Sequence, residues 1–134
     1  MISSATNARI IDNKIYGAGG ACYPGSSRGL YFTNSTGMAQ DNFLYGFAVA
    51  NVSIEGMVPD LGGGGLSTGG NTFECACAAD VSVAIGGQTL HAEQNLWDHA
   101  TPTTSTTCSG GVDFCSPGDS LDAAGSAVAG GACP

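Results

Sequence analysis

The residues of this chain best suited to chemistry lie in two short stretches. Positions 88–100 hold both histidines, His91 and His99, the single tryptophan, Trp97, and Glu93, and Cys108 and Cys115 follow. One imidazole and two thiolates leave a fourth tetrahedral position on a zinc ion for water. The metal lowers the pKa of that water, and a neighbouring glutamate can carry its proton to a substrate nitrogen and on to leaving ammonia. In this scheme His91, Cys108 and Cys115 are the metal ligands and Glu93 is the catalytic proton carrier. The same residues carry a plainer reading. His91 and Glu93 are then solvated residues in the first turn of a helix, where a glutamate favours the dipole, and Cys108 and Cys115 are halves of disulfides.

Either scheme needs elements to hold these side chains. Val81-Ser82-Val83-Ala84-Ile85 is a strand-like run closed by Gly86-Gly87, and Thr89 can cap a helix of about three turns. Leu90, Leu96, Trp97 and Ala100 supply that helix with an apolar face, and Pro102 ends it. Positions 43–54 give the best strand signal, with apolar groups on both faces, as in a sheet covered by helices. Alternation resumes over 72–83, where Cys75 and Cys77 stand too close to bridge each other comfortably. Ser116-Pro117-Gly118-Asp119 has the form of a helix start, with 121–128 continuing it. The expected fold class is therefore α/β, a small mixed sheet centred on 43–54 and 73–85 with packed helices. The alternative is a disulfide-rich all-β secreted domain. The whole of 1–134 is expected to form a single domain, with a Gly-rich loop or lid at 61–70.

Composition narrows the partners. Three basic residues face 11 acidic ones, for a formal charge of −8, and no Lys or Arg follows Arg28. Strong binding to a nucleic-acid backbone is disfavoured, because no cations are there to displace phosphate counterions. Anionic membrane surfaces are disfavoured on the same ground, and no window approaches the length of a membrane-spanning helix. The first residues lack the basic and apolar regions of a signal peptide. Six cysteines and two glycosylation sequons, Asn34-Ser35-Thr36 and Asn51-Val52-Ser53, are compatible with a secreted or extracellular location. Asp113, Asp119 and Asp122 lack the spacing of a calcium loop and read as a solvated acidic surface. The aromatic residues Tyr31, Phe32, Phe43, Tyr45 and Phe47 read as core.

His91-Ala92-Glu93-Gln94 with Leu96 resembles the His-Ala-Glu helix of the zinc-dependent nucleoside and nucleic-acid deaminase superfamily, in particular its toxin-type members. Positions 47–57 resemble the strand that precedes this helix in some of them, and 108–115 resembles a spread cysteine pair. The resemblance implies zinc on His91, Cys108 and Cys115 with Glu93 as proton shuttle. It further implies hydrolytic deamination of a nucleobase-containing substrate, cytosine ahead of adenine. The rival is a non-enzymatic secreted, disulfide-stabilised module, an adhesin, filament subunit or small effector, capable of self-association. Low charge, a Ser/Thr/Asn/Gly surface and the even cysteine count support it.

Overall fold

The computed structural model describes residues 1–17, 26–98, 111–114, 118–129 and 133, the segment 111–114 as backbone only. Every paired strand in it is parallel. The chain winds as successive coils of three short strands. β1 (Ile2–Ser3), β2 (Ala8–Ile11) and β3 (Lys14–Tyr16) make the first coil; β4 (Arg28–Thr33), β5 (Gly37–Gln40) and β6 (Phe43–Tyr45) the second. β7 (Ala50–Glu55), the bridge residues Asp60 and Gly62, and β8 (Thr72–Glu74) form the third. β9 (Ala79–Ala84), β10 (Thr89–His91) and β11 (Leu96–Trp97) form the fourth, and β12 (Gly111–Phe114), β13 (Ser120–Asp122) and β14 (Ala127–Val128) the fifth.

Stacking the coils generates three faces. The first is the five-stranded sheet β1-β4-β7-β9-β12 and the third is β3-β6-β8-β11-β14. The second joins β2-β5 to β10-β13 through the Met38–Asp60 and Gly62–Ala92 bridges. Neighbouring parallel strands need a long crossover between them. Here a whole coil supplies it, so no helix is required. The architecture is a helix-free β-solenoid among the described residues.

This corrects the α/β expectation and its packed helices. The 89–100 segment is not a helix: it is β10, a turn, and β11. The turn residue Gln94 takes a positive φ of 59°, which is incompatible with a helix at that point. The 121–128 segment likewise divides into β13 and β14. Positions 43–54 are two strands on different faces, because Gly46 (φ 78°) turns the chain between β6 and β7. Apolar residues on both sides of that run reflect the corner, not a sheet buried on both faces. Cys75 (φ 56°) makes the equivalent corner between β8 and β9.

The core is a set of vertical stacks. Leu30, Val52 and Val81 are register partners, as are Phe32, Ile54 and Val83, and all are buried. On the third face Ile15, Leu44, Phe73 and Trp97 stack in line. The Phe73 and Trp97 rings lie 4.8 Å apart. Of the aromatic residues expected in the core, Phe32 and Phe47 are buried. Phe43 and Tyr45 instead lie on the outer side of the third face, stacked on each other at 6.2 Å and beside Tyr16.

The corner between the second and third faces carries a ladder of amides. Asn13, Asn42, Asn71 and Asn95 each open the third-face strand of their coil. The Oδ1 of Asn42 accepts from the backbone N–H and the side-chain amide of Asn13, at 3.1 and 3.0 Å. Asn71 Oδ1 does the same for Asn42, and Asn95 Oδ1 for Asn71, at 2.8 to 3.1 Å. Ser126 continues the line, its Oγ accepting from Asn95 N–H. The residue before each rung, Asp12, Asp41, Gly70, Gln94 and Gly125, has positive φ, 55° to 77°. That conformation aims the rung inward, where Asn42, Asn71 and Asn95 are almost wholly buried.

Asn71 also donates to the carbonyls of Ala39 and Leu61. Truncating it orphans several buried polar groups, each costing ~1–3 kcal/mol. Asn71→Ala is therefore expected to lower unfolding free energy by about 3 kcal/mol or more in urea titrations, while Asn13→Ala, at the outer rung, costs about 1 kcal/mol.

Candidate functional site

The second face carries two of the groups that sequence reasoning singled out, His91 and Glu93. His91 is the outward residue of β10, between buried Leu90 and Ala92. Glu93 follows in the turn, and His91 Nδ1 lies 3.1 Å from Glu93 Oε1. Asp122, the register partner of His91 on the next coil, completes a group whose ligand atoms lie within 4.8 Å of one another. A groove of about 550 Å³ opens beside it, lined by Thr36, Val58, Asp60, Leu66, Gln88 and His91 among others.

Asp60 shapes one wall of this groove. Its carboxylate accepts four backbone N–H groups, from Gly62 (2.8 Å), Gly64 (3.1 Å), Leu66 (2.7 Å) and Ser67 (2.8 Å). Ser67 Oγ donates to the Ala39 carbonyl. The Gly-rich segment 61–70 is thus a turn wound around one carboxylate rather than a loose lid. Gly62 and Gly63 have positive φ, 155° and 87°, and press on Glu93: a Cβ at Gly62 would strike its carbonyl, and one at Gly63 its carboxylate. Glycine is obligatory there.

Burial raises the Asp60 pKa, but the four N–H donors together outweigh it and hold the carboxyl below its ordinary 3.8. A depressed folded pKa contributes stability that is present above 3.8 and is lost as pH falls through the folded value.

Asp80 behaves oppositely. It is buried beside Asp98 and Asn51, with Asn51 Nδ2 donating to its Oδ1 at 3.2 Å. Burial first, and then the Asp98 carboxylate, push its pKa up to about 8. Its stabilising contribution is complete below 3.8 and is lost as pH rises toward about 8. Asp80→Asn is expected to flatten the decline in melting temperature between pH 5 and pH 8, and Asp60→Asn the decline on the acid side below pH 4. Melting curves across pH on the two variants check both signs.

Cys75 is bonded to Cys133, tying the chain end to the corner between β8 and β9 across a sequence separation of 58. Cys77 is also disulfide-bonded. Cys75, Asp98 and Cys133 lie together, but the two sulfurs are consumed by that bond. Asp98 Oδ2 accepts the Cys75 N–H at 2.7 Å. Asn51 of the second sequon is fully buried, closed to glycosylation in the folded chain.

Of the expected zinc set, the structure brings His91 and Glu93 together. Cys108 and Cys115, like His99, lie outside the described residues. Asp122 joins the pair although sequence reasoning had set it aside as surface. The signal that could have found it is the solenoid register, which pairs His91 with Asp122.

A helix-free parallel β-solenoid with a corner amide ladder defines the class. Residues 33–104, more than half of the chain, match the family described as protein of unknown function (DUF1565), and the chain belongs to that family. No curated protein and no solved structure matches it. The deaminase resemblance is overturned by this fold. The His-Ala-Glu segment is a strand end and turn, so the active-site helix that would bring zinc-bound water and Glu93 to a nucleobase does not exist. Deaminase and hydrolase chemistry, and a nucleobase-containing substrate as partner, fall with it. Among the described residues two groupings of metal-ligating side chains remain as geometry, one of them closed by the disulfide. No helix among the described residues is long and apolar enough to cross a membrane.

Proposed function

We propose that the chain is a non-enzymatic, secreted, disulfide-stabilised module whose work is structural: a stiff β-solenoid of the adhesin, filament-subunit or small-effector kind. The observation that carries this reading is the continuous stack of coils pinned by the Cys75–Cys133 disulfide. Disulfides persist in oxidising, extracellular compartments. A solenoid offers broad faces for contact with partners. The surface supports the same reading, since only 10% of residues are charged. A zinc ion on such a module is a surface ligand held at the His91–Glu93–Asp122 group, not the centre of an active site.

Closing a loop of this length is worth about 4 kcal/mol through the entropy of the unfolded chain. Cys133→Ser is expected to lower unfolding free energy by an amount of that order while the parallel-sheet circular dichroism persists. The non-reduced protein is expected to leave cytosine and adenine nucleosides unchanged. Deamination that disappears in Glu93→Gln would overturn the proposal.

A further inference from the structure

The geometry points to a divalent-cation site on the second face, with His91, Glu93 and Asp122 as its ligands and a first-row transition ion of the zinc class as its occupant. The donor set differs from the one implied by the deaminase resemblance. Asp122 enters, the cysteines are not needed, and Glu93 is a ligand instead of a proton carrier.

Four observations converge. The first is spacing. The His91 and Glu93 ligand atoms stand 3.1 Å apart, and all three groups offer atoms within 4.8 Å. Two ligands bound at about 2.0–2.2 Å on one ion are about 3.0–3.5 Å apart, so one contact already has that separation. The two contacts to Asp122, which is half-buried, lie within the same 4.8 Å and shorten by small side-chain adjustments as an ion binds.

The second is register. His91 and Asp122 are paired residues of adjacent parallel strands, so their side chains leave the same face one coil apart. Glu93 stands in the turn two residues beyond His91, and its carboxylate comes to within 3.1 Å of the His91 ring. Three donors from two coils are thereby aimed at one point without any helix.

Preorganisation is the third. The Glu93 carboxylate lies against Gly63, whose missing side chain makes room for it, and Asp60 fixes that turn through four N–H bonds. Asp122 Oδ1 accepts the Ala124 N–H at 3.1 Å, which limits its rotation. Partners of this kind orient ligands before an ion arrives.

Charge is the fourth. Glu93 and Asp122 are two carboxylates in a region of the sequence with no Lys or Arg beyond Arg28. His91 is the one potentially cationic group beside Glu93 among the described residues. A bound dication supplies the missing countercharge. An imidazole with two carboxylates suits zinc-class ions; calcium and magnesium favour all-oxygen shells. His91 also lines the groove, which puts a partner docked there beside the ion.

The test is titration of the untagged, non-reduced full chain with zinc chloride, followed by isothermal calorimetry and by melting temperature. Calcium and magnesium chlorides are run alongside. The expected result is one zinc per chain, a raised melting temperature, and no comparable effect of calcium or magnesium. His91→Gln, Glu93→Gln and Asp122→Asn should each weaken zinc binding at least about tenfold, as loss of a ligand or its support does. Their metal-free melting temperatures should stay near wild type, because these side chains are not in the core. Glu55→Gln, an acid on the first face, should bind zinc normally. Absence of saturable zinc binding would overturn the assignment, as would zinc binding that survives all three ligand variants. Equal binding of calcium, unaffected by His91→Gln, would overturn it too.

Discussion

The asparagine ladder is the interaction on which the rest of this structure depends. A parallel β-solenoid must turn its chain at every corner, and each turn exposes backbone N–H groups that no strand partner reaches. Asn42, Asn71 and Asn95 satisfy them in series, each carboxamide accepting from the asparagine of the coil before it, beginning with Asn13. Each buried Nδ2 meanwhile holds carbonyls at the end of the second face. Removing a rung would thus disturb two faces and two coils at once. The ladder fixes register as well as energy. With the rungs aligned, Ile15, Leu44, Phe73 and Trp97 must stack, and so must the valines and isoleucines opposite.

That register also builds the second face. Asp60 takes the place of a strand in the third coil and collects the amides of the Gly-rich turn, converting an insertion into a wall. The same turn seats Glu93, and the next coil brings Asp122 opposite His91. Two carboxylates elsewhere have contrary electrostatics for the same kind of reason. Asp60 is buried among donors, whereas Asp80 is buried beside another acid. Environment, not residue type, decides which of them holds a proton.

The His-Ala-Glu segment shows how a short motif misleads. On a helix, residues two apart diverge by more than half a turn, so His91 and Glu93 would meet only at a special N-terminus. At the end of β10, with Glu93 in the turn that follows, they lie 3.1 Å apart. The three letters were legible; the conformation giving them meaning was not. Gln94 at positive φ and the short β10 and β11 decide it. A more telling signal was also present. Asn13-Lys14-Ile15-Tyr16-Gly17 and Asn42-Phe43-Leu44-Tyr45-Gly46 stand 29 residues apart. Asn71-Thr72-Phe73-Glu74-Cys75 follows at the same interval, and Asn95-Leu96-Trp97-Asp98 24 residues further on. Such internal repetition is the signature of a coil. Read as separate strands and helices, the repeats lose it.

Some of this protein was determined by sequence alone. The abundance of glycine required many turns, the scarcity of Lys and Arg disfavoured a strong backbone grip on nucleic acid, and Cys75 and Cys77 stood too close to bridge each other comfortably. The strand-like run 81–85, most of which falls in β9, is also a local property. It follows from side-chain alternation within a few residues. Only the tertiary structure decided the rest: the corner at Gly46 that splits 43–54, the inward path of the amide ladder, the Cys75–Cys133 bond, and the meeting of His91 with Asp122. Each depends on which residues one coil places over another. Coil stacking is a long-range register set by the summed fit of ladder and core, and no window of neighbouring residues contains it.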